Sequence, residues 1–270
     1  MLCFFNIIMN SSKIFSLEYK SIFVVGGSGL IGKNVCNLLI NLGAIVYNLD
    51  KEKNRFLNKK VKFINFDVSK KKFIEKNLKK IFKKYKVPEC LINCSYPVSK
   101  NWTHSSFKSV SQELISTNLN LHLNTYIWIA RIVAEEMRKK KIKGSIIQFG
   151  SHYGVIGQNT DLYKGTKMRE NMIYSAIKGG IISNTKQLSS HYGKYGIRAN
   201  CICPGGIEGH VKGKSIKQNK KFISQYKKRT PLGRLARAEE IAPSVAFLAS
   251  DASTYISGIT LMIDGGWTAT

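Results

Sequence analysis

The chain has few acidic residues and few arginines. Its 270 residues contain 16 Asp and Glu against 43 Lys and Arg, a formal charge of +27, and only 8 of the basic residues are Arg. So large a positive charge is typical of proteins that meet nucleic acid, a membrane surface or an acidic ligand. Phosphate and base recognition favours the planar fork of Arg, and the lysines are scattered in short clusters. We therefore expect solvated lysine faces, no nucleic-acid partner, and a field that favours an anionic substrate.

Long apolar runs and metal-binding spacings are also lacking. No stretch reaches the ~18 apolar residues that a membrane-spanning helix needs, so no membrane association is expected. The six cysteines show no spacing typical of metal ligands; we expect reduced thiols, no metal and a cytoplasmic location. Cys201 and Cys203 lie two residues apart in a predicted strand, and we expect their side chains on opposite faces.

The start of the chain differs from the rest. Met1 to Met9 is apolar and short, no basic residue precedes it, and no cleavage site is evident. A weak signal peptide, a disordered extension and initiation at Met9 are the alternatives. We expect residues 1–19 to be a poorly ordered N-terminal extension and residues 20–270 to form a single domain.

Predicted strands and helices alternate almost to the end of the chain. The strands are predicted at 21–25, 44–49, 61–66, 90–92, 145–149, 198–203 and 260–263, and the later helices at 69–85, 114–140, 174–191 and 239–249. This alternation indicates the α/β class, with a Rossmann-type doubly wound parallel sheet in three α/β/α layers. Residues 103–111 and 206–228 lack strand patterning, and we expect them to form a substrate loop and a lid.

A glycine-rich turn, Gly26-Gly27-Ser28-Gly29-Leu30-Ile31-Gly32, follows the first predicted strand. Its glycines let the backbone approach a pyrophosphate, and the next helix offers free N–H groups. Glycines also serve plain turns, but the position between strand and helix favours a dinucleotide site. Asp50 ends the second strand, where a carboxylate accepts hydrogen bonds from the ribose hydroxyls of NAD and repels the 2′-phosphate of NADP. A turn-capping role for Asp50 is the alternative, and Lys51 and Lys53 leave NADP open.

Tyr174 and Lys178 lie four residues apart on a predicted helix. Such residues share a helix face, so we expect the lysine charge to lower the pKa of the tyrosine and allow proton exchange near neutral pH. A surface tyrosine beside a lysine is the alternative in so Lys-rich a chain. Tyr163 and Lys167 repeat the spacing, but in a polar stretch that makes a poor helix. Small and apolar residues follow Tyr174, which favours this pair as the reacting centre.

Together these motifs resemble the short-chain dehydrogenase/reductase family over about residues 20–266. Further matching positions are Asp67-Val68, Asn93, Asn118, Ser151, Arg198-x-Asn200, Pro204-Gly205, Pro231-Leu232-Gly233-Arg234 and Asp264-Gly265-Gly266. The resemblance implies that Tyr174 is the general acid/base and that Lys178 holds the nicotinamide ribose. It also implies that Ser151 hydrogen-bonds the reacting oxygen and that Asn118 positions a proton-relaying water.

The resemblance further implies NAD as the cofactor. The cofactor site is then expected to comprise Gly26, Ser28, Gly29, Leu30, Ile31, Gly32, Asp50, Asp67, Val68, Asn93, Cys94, Ser95, Tyr174, Lys178, Pro204, Gly205 and Ile207. Two positions depart from the family pattern near this site. Leu30 replaces a glycine, and Gly209 replaces a threonine that often grips the nicotinamide amide.

Two further departures indicate a narrower group. Tyr96-Pro97 follows Asn93-Cys94-Ser95, and the gap from Ser151 to Tyr174 is longer than usual, with the extra residues around 158–168 expected beside the substrate. These features resemble the flagellin modification protein A group of oxidoreductases, found with genes for nonulosonic acid and nucleotide-sugar synthesis. That resemblance implies an anionic sugar-type substrate.

The leading hypothesis is an NAD(H)-dependent oxidoreductase that acts on a carbonyl or secondary alcohol of a sugar or nucleotide-sugar. A 3-oxoacyl-carrier-protein reductase-like enzyme is the first alternative. A non-catalytic NAD- or nucleic-acid-binding protein is the second. The family resemblance implies a small-molecule substrate and a homotetramer or homodimer.

Overall fold

A sheet of seven parallel strands runs through the part of the chain that the structure describes. The computed structural model describes residues 13–209 and 218–270. Its strands are β1 (Ser21–Val25), β2 (Ile45–Asp50), β3 (Lys62–Asn65), β4 (Cys90–Asn93), β5 (Ser145–Phe149), β6 (Arg198–Pro204) and β7 (Thr260–Ile263). Their order across the sheet is β3-β2-β1-β4-β5-β6-β7. The order reverses between β1 and β4, the point where open α/β sheets bind ligands beyond their carboxyl ends.

Helices cover both faces of the sheet. They are α1 (Leu30–Asn41), α2 (Ile74–Tyr85), α3 (Gln112–Asn118), α4 (Asn124–Lys139), α5 (Met172–Tyr192), α6 (Lys220–Arg229) and α7 (Ala242–Ala249). Alternate residues of β1 serve two cores: Phe23 and Val25 pack towards α2, α4 and α5, whereas Ile22 and Val24 pack towards α1 and α7. Strands buried on both faces read as continuous apolar runs. The predicted three-layer α/β fold is confirmed.

The basic segment after β3 forms an amphipathic helix, as its apolar spacing predicts. In α2 the buried side chains are Ile74, Leu78 and Ile81, one helical face at the expected spacing. Most of its lysines are exposed, and Lys79 forms an ion pair with Glu75 at 2.7 Å.

The predicted long helix over 114–140 is interrupted in the structure. A π-helical segment, Leu119–Leu123, separates α3 from α4. Single π turns inside α-helices widen the backbone and are frequent at functional sites. The Thr125 hydroxyl donates to the carbonyl oxygens of Leu121 (2.8 Å) and His122 (3.0 Å), inside this segment.

Two predictions need correction, and a third lies partly outside the described residues. The poorly ordered extension predicted over 1–19 fails for residues 13–19, because Leu17 is fully buried and its N–H donates to the Leu42 carbonyl at 3.1 Å; residues 1–12 lie outside the described residues. The predicted lid at 206–228 contains helix α6, and its residues 210–217 are likewise not described. The thiols of Cys201 and Cys203 are 3.9 Å apart, since residues two apart on a strand share a face.

None of the helices described is both long and apolar enough to span a bilayer.

Candidate active site

A cleft of about 530 Å³ opens at the carboxyl ends of the central strands. All but one of the predicted cofactor residues line it: Gly26, Ser28, Gly29, Leu30, Ile31, Gly32, Asp50, Asp67, Val68, Cys94, Ser95, Tyr174, Lys178, Pro204, Gly205 and Ile207. The other one, Asn93, is fully buried. Its side-chain oxygen accepts hydrogen bonds from the N–H (3.3 Å) and hydroxyl (2.8 Å) of Ser95. Asn93 therefore supports the cleft wall from behind.

The glycine-rich turn brings β1 and β4 into close backbone contact. Gly26 has a φ of +79°, and a Cβ at this position would lie 2.5 Å from the Cα of Ser95. Only glycine adopts this conformation without strain. Helix α1 then begins after Gly29 with no side-chain cap and no acidic residue in its first turn. Its free N–H groups and positive dipole end can therefore face an anionic group in the cleft.

The Asp50 carboxylate stands at the end of β2, on the rim of the same turn. One oxygen accepts a hydrogen bond from the Ser28 N–H at 3.0 Å and the other from the Glu52 N–H at 3.3 Å. Burial raises the pKa of Asp50 above its ordinary value, and these backbone hydrogen bonds act against that rise. The cleft thus holds the partly buried Asp50 carboxylate, a hydrogen-bond acceptor, next to the free N–H groups at the start of α1. This arrangement fits a dinucleotide.

The two departures from the family pattern near the cofactor residues meet in space. A Cβ at Gly209 would lie 3.2 Å from a methyl carbon of Leu30, and Gly209 has a φ of +102°. The Leu30 side chain therefore occupies space that a larger residue at 209 would need. The two departures from the family pattern, at positions 30 and 209, therefore lie in contact with each other.

Tyr174 and Lys178 lie on the first turns of α5 and point into the cleft. The side-chain oxygen of Asn171 caps this helix and accepts hydrogen bonds from the N–H groups of Ile173 (3.1 Å) and Tyr174 (3.0 Å). The Lys178 ammonium is buried and donates to the Phe149 carbonyl at 2.8 Å. Burial lowers the pKa of Lys178 to about 8.

The expected lowering of the Tyr174 pKa is not found. Burial raises the pKa of Tyr174, and the nearby Ser151 hydroxyl acts in the opposite direction. The shared helix face predicted a dominant lysine effect, but desolvation of the phenolate outweighs it here. The Lys178 ammonium instead donates its hydrogen bond to the carbonyl of Phe149, the last residue of β5.

Ser151 and Asn118 do not line the cleft surface. Ser151 is 4% exposed, and its hydroxyl accepts a hydrogen bond from the Tyr153 N–H at 3.2 Å. The Asn118 side chain is fully buried; it accepts from the Ser99 N–H and donates to the Ser99 hydroxyl, both at 3.0 Å. Asn118 therefore secures the loop after β4 at the point where α3 ends, and its amide is already engaged.

Aromatic side chains that the sequence analysis did not assign to the site surround Tyr174. The ring of Tyr96 is 6.2 Å from that of Tyr174, and the ring of Trp102 is 6.4 Å from it. A second aromatic group lies near the C-terminus. In it the ring of Tyr226, from α6, stacks on the ring of Trp267 with the ring centres 4.3 Å apart. These aromatic residues lie far apart in the sequence and follow no common spacing. The departure from the family pattern at Tyr96 is therefore the one sequence feature that points to them.

Residues 158–168, where the extra residues of the chain are predicted, pack against helix α6. The rings of Tyr163 and Phe222 stack at 5.9 Å, and the Gln225 side chain donates to the Lys164 carbonyl at 3.1 Å. Residues 158–168 and α6 thus form one packed unit, and none of their residues lines the cleft.

Comparisons with known proteins agree with this geometry. A family model described as enoyl-(acyl carrier protein) reductase matches residues 30–268. The chain is 31% identical over 261 residues to post-translational flagellin modification protein A of Campylobacter coli, covering 93% of this chain and 99% of that one. It is also 31% identical over 260 residues to the 3-oxoacyl-[acyl-carrier-protein] reductase FabG of Chlamydia trachomatis, covering 93% and 98%.

Among solved structures, a short chain dehydrogenase from Leptospira borgpetersenii with bound NAD+ matches with a TM-score of 0.82 and 31% identity, over 94% of each chain. The sheet order, the cleft and these matches together confirm the family resemblance: the chain belongs to the short-chain dehydrogenase/reductase family of oxidoreductases.

Proposed function

We propose that this protein is an NAD(H)-dependent oxidoreductase that transfers a hydride between nicotinamide and a carbonyl or secondary alcohol of a sugar or nucleotide-sugar. The observation that carries the proposal is the placement of Tyr174 and Lys178 in the same cleft as Asp50 and the glycine-rich turn. That arrangement combines a proton-exchanging pair with a dinucleotide cradle.

The cradle residues fit the cofactor by chemistry. The N–H groups at the start of α1 would hold the pyrophosphate, Asp50 would accept from the adenosine ribose hydroxyls, and Asp67 and Val68 would lie beside the adenine. Lys178 would donate to the hydroxyls of the nicotinamide ribose. When bound, the nicotinamide supplies or accepts the hydride.

The protein's own residues would handle the proton. Burial raises the pKa of Tyr174, so its phenol holds its proton at neutral pH, which suits protonation of a carbonyl oxygen during reduction. Ser151 lies close enough to act on the Tyr174 pKa and would share the same substrate oxygen. Asn118 would act through the loop that it secures by its hydrogen bonds to Ser99.

The substrate proposal rests on charge and aromatic surface. The guanidinium of Arg229, the last residue of α6, lies 5.6 Å from the ring centre of Trp267. A cation next to aromatic faces suits a sugar that carries a carboxylate or phosphate. The flagellin modification protein A relative supports this reading.

A 3-oxoacyl-carrier-protein reductase-like activity is the second candidate. The FabG relative supports it, and the lysines of α2 would suit an acidic carrier protein. Such reductases typically take NADP, whereas Asp50 favours NAD, and this difference favours the sugar substrate. Assembly as a homodimer or homotetramer stays a prediction of the family resemblance, and a cytoplasmic location stays a prediction from the cysteines.

Cofactor preference tests the proposal directly. NADH and NADPH are titrated by fluorescence against the wild type, Asp50→Ala and the control Glu239→Gln, whose exposed carboxylate pairs with Arg237 away from the cleft. We expect tighter NADH binding in the wild type and in the control, and at least a ~10-fold loss of NADH affinity in Asp50→Ala, for the loss of a charge-assisted hydrogen bond. Tighter binding of NADPH by the wild type would contradict the role of Asp50 and favour the second candidate. Binding of neither cofactor would favour a non-catalytic protein and lead to a nucleic-acid binding test.

A further inference from the structure

The two residues that follow Ser151 carry buried polar atoms without a partner. His152 is 2% exposed and Tyr153 is 9% exposed. The Nε2 of His152 and the hydroxyl of Tyr153 make no hydrogen bond within the described residues. Buried polar side-chain atoms nearly always have a partner, so each exception calls for an explanation.

The hydrogen bonding of His152 fixes which ring nitrogen carries the proton. Its Nδ1 lies 3.0 Å from the carbonyl oxygen of Pro204. A carbonyl oxygen can only accept, so Nδ1 carries the hydrogen and donates it. Burial lowers the pKa of His152, so the ring is neutral and Nε2 is an unprotonated acceptor. That atom needs a donor from outside the described residues.

The surroundings of His152 are aromatic. Its ring lies 3.9 Å from that of Tyr153, 5.6 Å from that of Trp267 and 6.4 Å from that of Tyr226. Pro204, the partner of Nδ1, lines the cleft, and Ser151 is the adjacent residue. An acceptor and a hydroxyl set among flat aromatic faces match the chemistry of a polyhydroxylated ring, which offers O–H donors at its edge and C–H groups on its faces.

We propose that His152 Nε2 and the Tyr153 hydroxyl form a polar subsite that binds hydroxyl groups of a sugar substrate beside Ser151. This inference rests on the proposed function and gives it a substrate class. A 3-oxoacyl chain has no hydroxyl donor at its reacting end, so it would leave the His152 acceptor unpaired. A site built to hydrogen-bond a substrate hydroxyl discriminates strongly against analogues that lack it.

The test uses two replacements of His152 that separate its two nitrogens. The side-chain amide of His152→Asn can still donate to the Pro204 carbonyl but places no acceptor at the Nε2 position, whereas His152→Gln extends its amide to that position. Tyr153→Phe removes only the hydroxyl. The probes are L-fucose, D-glucuronate and UDP-glucose with NAD+, and acetoacetyl-coenzyme A with NADH. NADH affinity is measured for every variant as the control for folding and cofactor binding.

We expect the wild type to oxidise at least one hydroxylated probe. For that probe, kcat/KM should fall about 10- to 100-fold in His152→Asn and about 10-fold in Tyr153→Phe, the range for a lost buried hydrogen bond. His152→Gln should recover most of the loss. NADH affinity should stay within about 2-fold of the wild type in all variants, a difference below that of a lost hydrogen bond.

The other outcomes separate the two proposals. Turnover of a hydroxylated probe that is unchanged in His152→Asn and Tyr153→Phe would overturn the subsite and leave the proposed function standing. An equal loss in His152→Gln and His152→Asn, or a parallel loss of NADH affinity, would show a merely structural role and overturn it as well. Wild-type turnover of acetoacetyl-coenzyme A alone, or of no probe, would overturn the sugar assignment and the subsite together.

Discussion

The two halves of the cleft are built by different means. On the cofactor side, backbone geometry dominates: Gly26 approaches Ser95 closely, and α1 begins without a side-chain cap. On the side proposed for the substrate, packed side chains dominate, with rings supplied by the loop after β5, residues 158–168, α6 and the C-terminus. A surface made of backbone tolerates almost no added atom, whereas a surface made of packed rings can change one ring at modest cost.

The comparison predicts the largest effect for an added methyl group on the cofactor side. In Gly26→Ala the new Cβ would meet the Ser95 backbone, and alanine is strained at a φ of +79°. We expect the free energy of unfolding to fall by about 3 kcal/mol and NADH affinity to fall at least ~10-fold. Urea denaturation and NADH titration measure the two quantities.

The matched control is Gly157→Ala, where an added Cβ meets no atom within 4 Å. It should leave NADH affinity unchanged. Equal NADH affinity in Gly26→Ala and Gly157→Ala would break the proposed contrast, because the turn would then tolerate a side chain.

Lys178 lies where the two halves meet, and its burial predicts an intermediate effect on stability. Its pKa is about 8 in the folded protein against an ordinary value of 10.5. Between these values the unfolded chain binds more protons, so this group's contribution to stability rises with pH from about 8 to 10.5. Below pH 8 the buried ammonium carries its full cost.

Lys178→Met should therefore stabilise the protein while it abolishes turnover. We expect a gain of about 2 kcal/mol in the free energy of unfolding at pH 7, reduced from the full shift because the Phe149 carbonyl loses its donor. The gain should disappear near pH 10.5, the ordinary pKa of lysine. Denaturation at both pH values measures it, with Lys83→Met, an exposed position on α2, as the control. A loss of stability at pH 7 would contradict the burial cost.

The smallest effect is expected on the substrate side. Tyr163→Leu removes the ring that stacks on Phe222 at 5.9 Å, a pair worth about 1 kcal/mol beyond burial. Residues 158–168 should loosen against α6, KM for the substrate should rise about 5-fold, and NADH affinity should stay unchanged. Steady-state kinetics are compared with Tyr255→Leu, whose side chain is fully exposed. If NADH affinity in Tyr163→Leu falls as much as substrate affinity, the two halves of the cleft are not independent.

The contrast also explains which elements were predictable. Each strand of the sheet was predicted to within a few residues, because strands buried on both faces are short apolar runs. The interruption at Leu119–Leu123 was not, since one π turn leaves the apolar spacing of a long helix almost unchanged. The burial of Leu17 depends on contacts with residues distant in sequence, such as Leu42, which no local pattern contains.

Within the site, Tyr174 and Lys178 line the cleft, but the environments of the motif residues were not predictable. The spacing of Tyr174 and Lys178 placed both on one helix face, yet the pKa of Tyr174 rises because the surrounding rings exclude water. That Asn118 positions a proton-relaying water stays a prediction, and the sequence did not indicate that its side-chain amide bonds to Ser99. Leu30 and Gly209 looked like two separate departures and form one contact.

The sequence by itself determined the family, the layer order and the cofactor side of the cleft, because glycine positions, strand ends and helix starts follow from local rules along the chain. Only the tertiary structure decided the substrate side. There, side chains from four separate segments meet, and their burial, tautomers and missing partners depend on distances that no single stretch of sequence encodes.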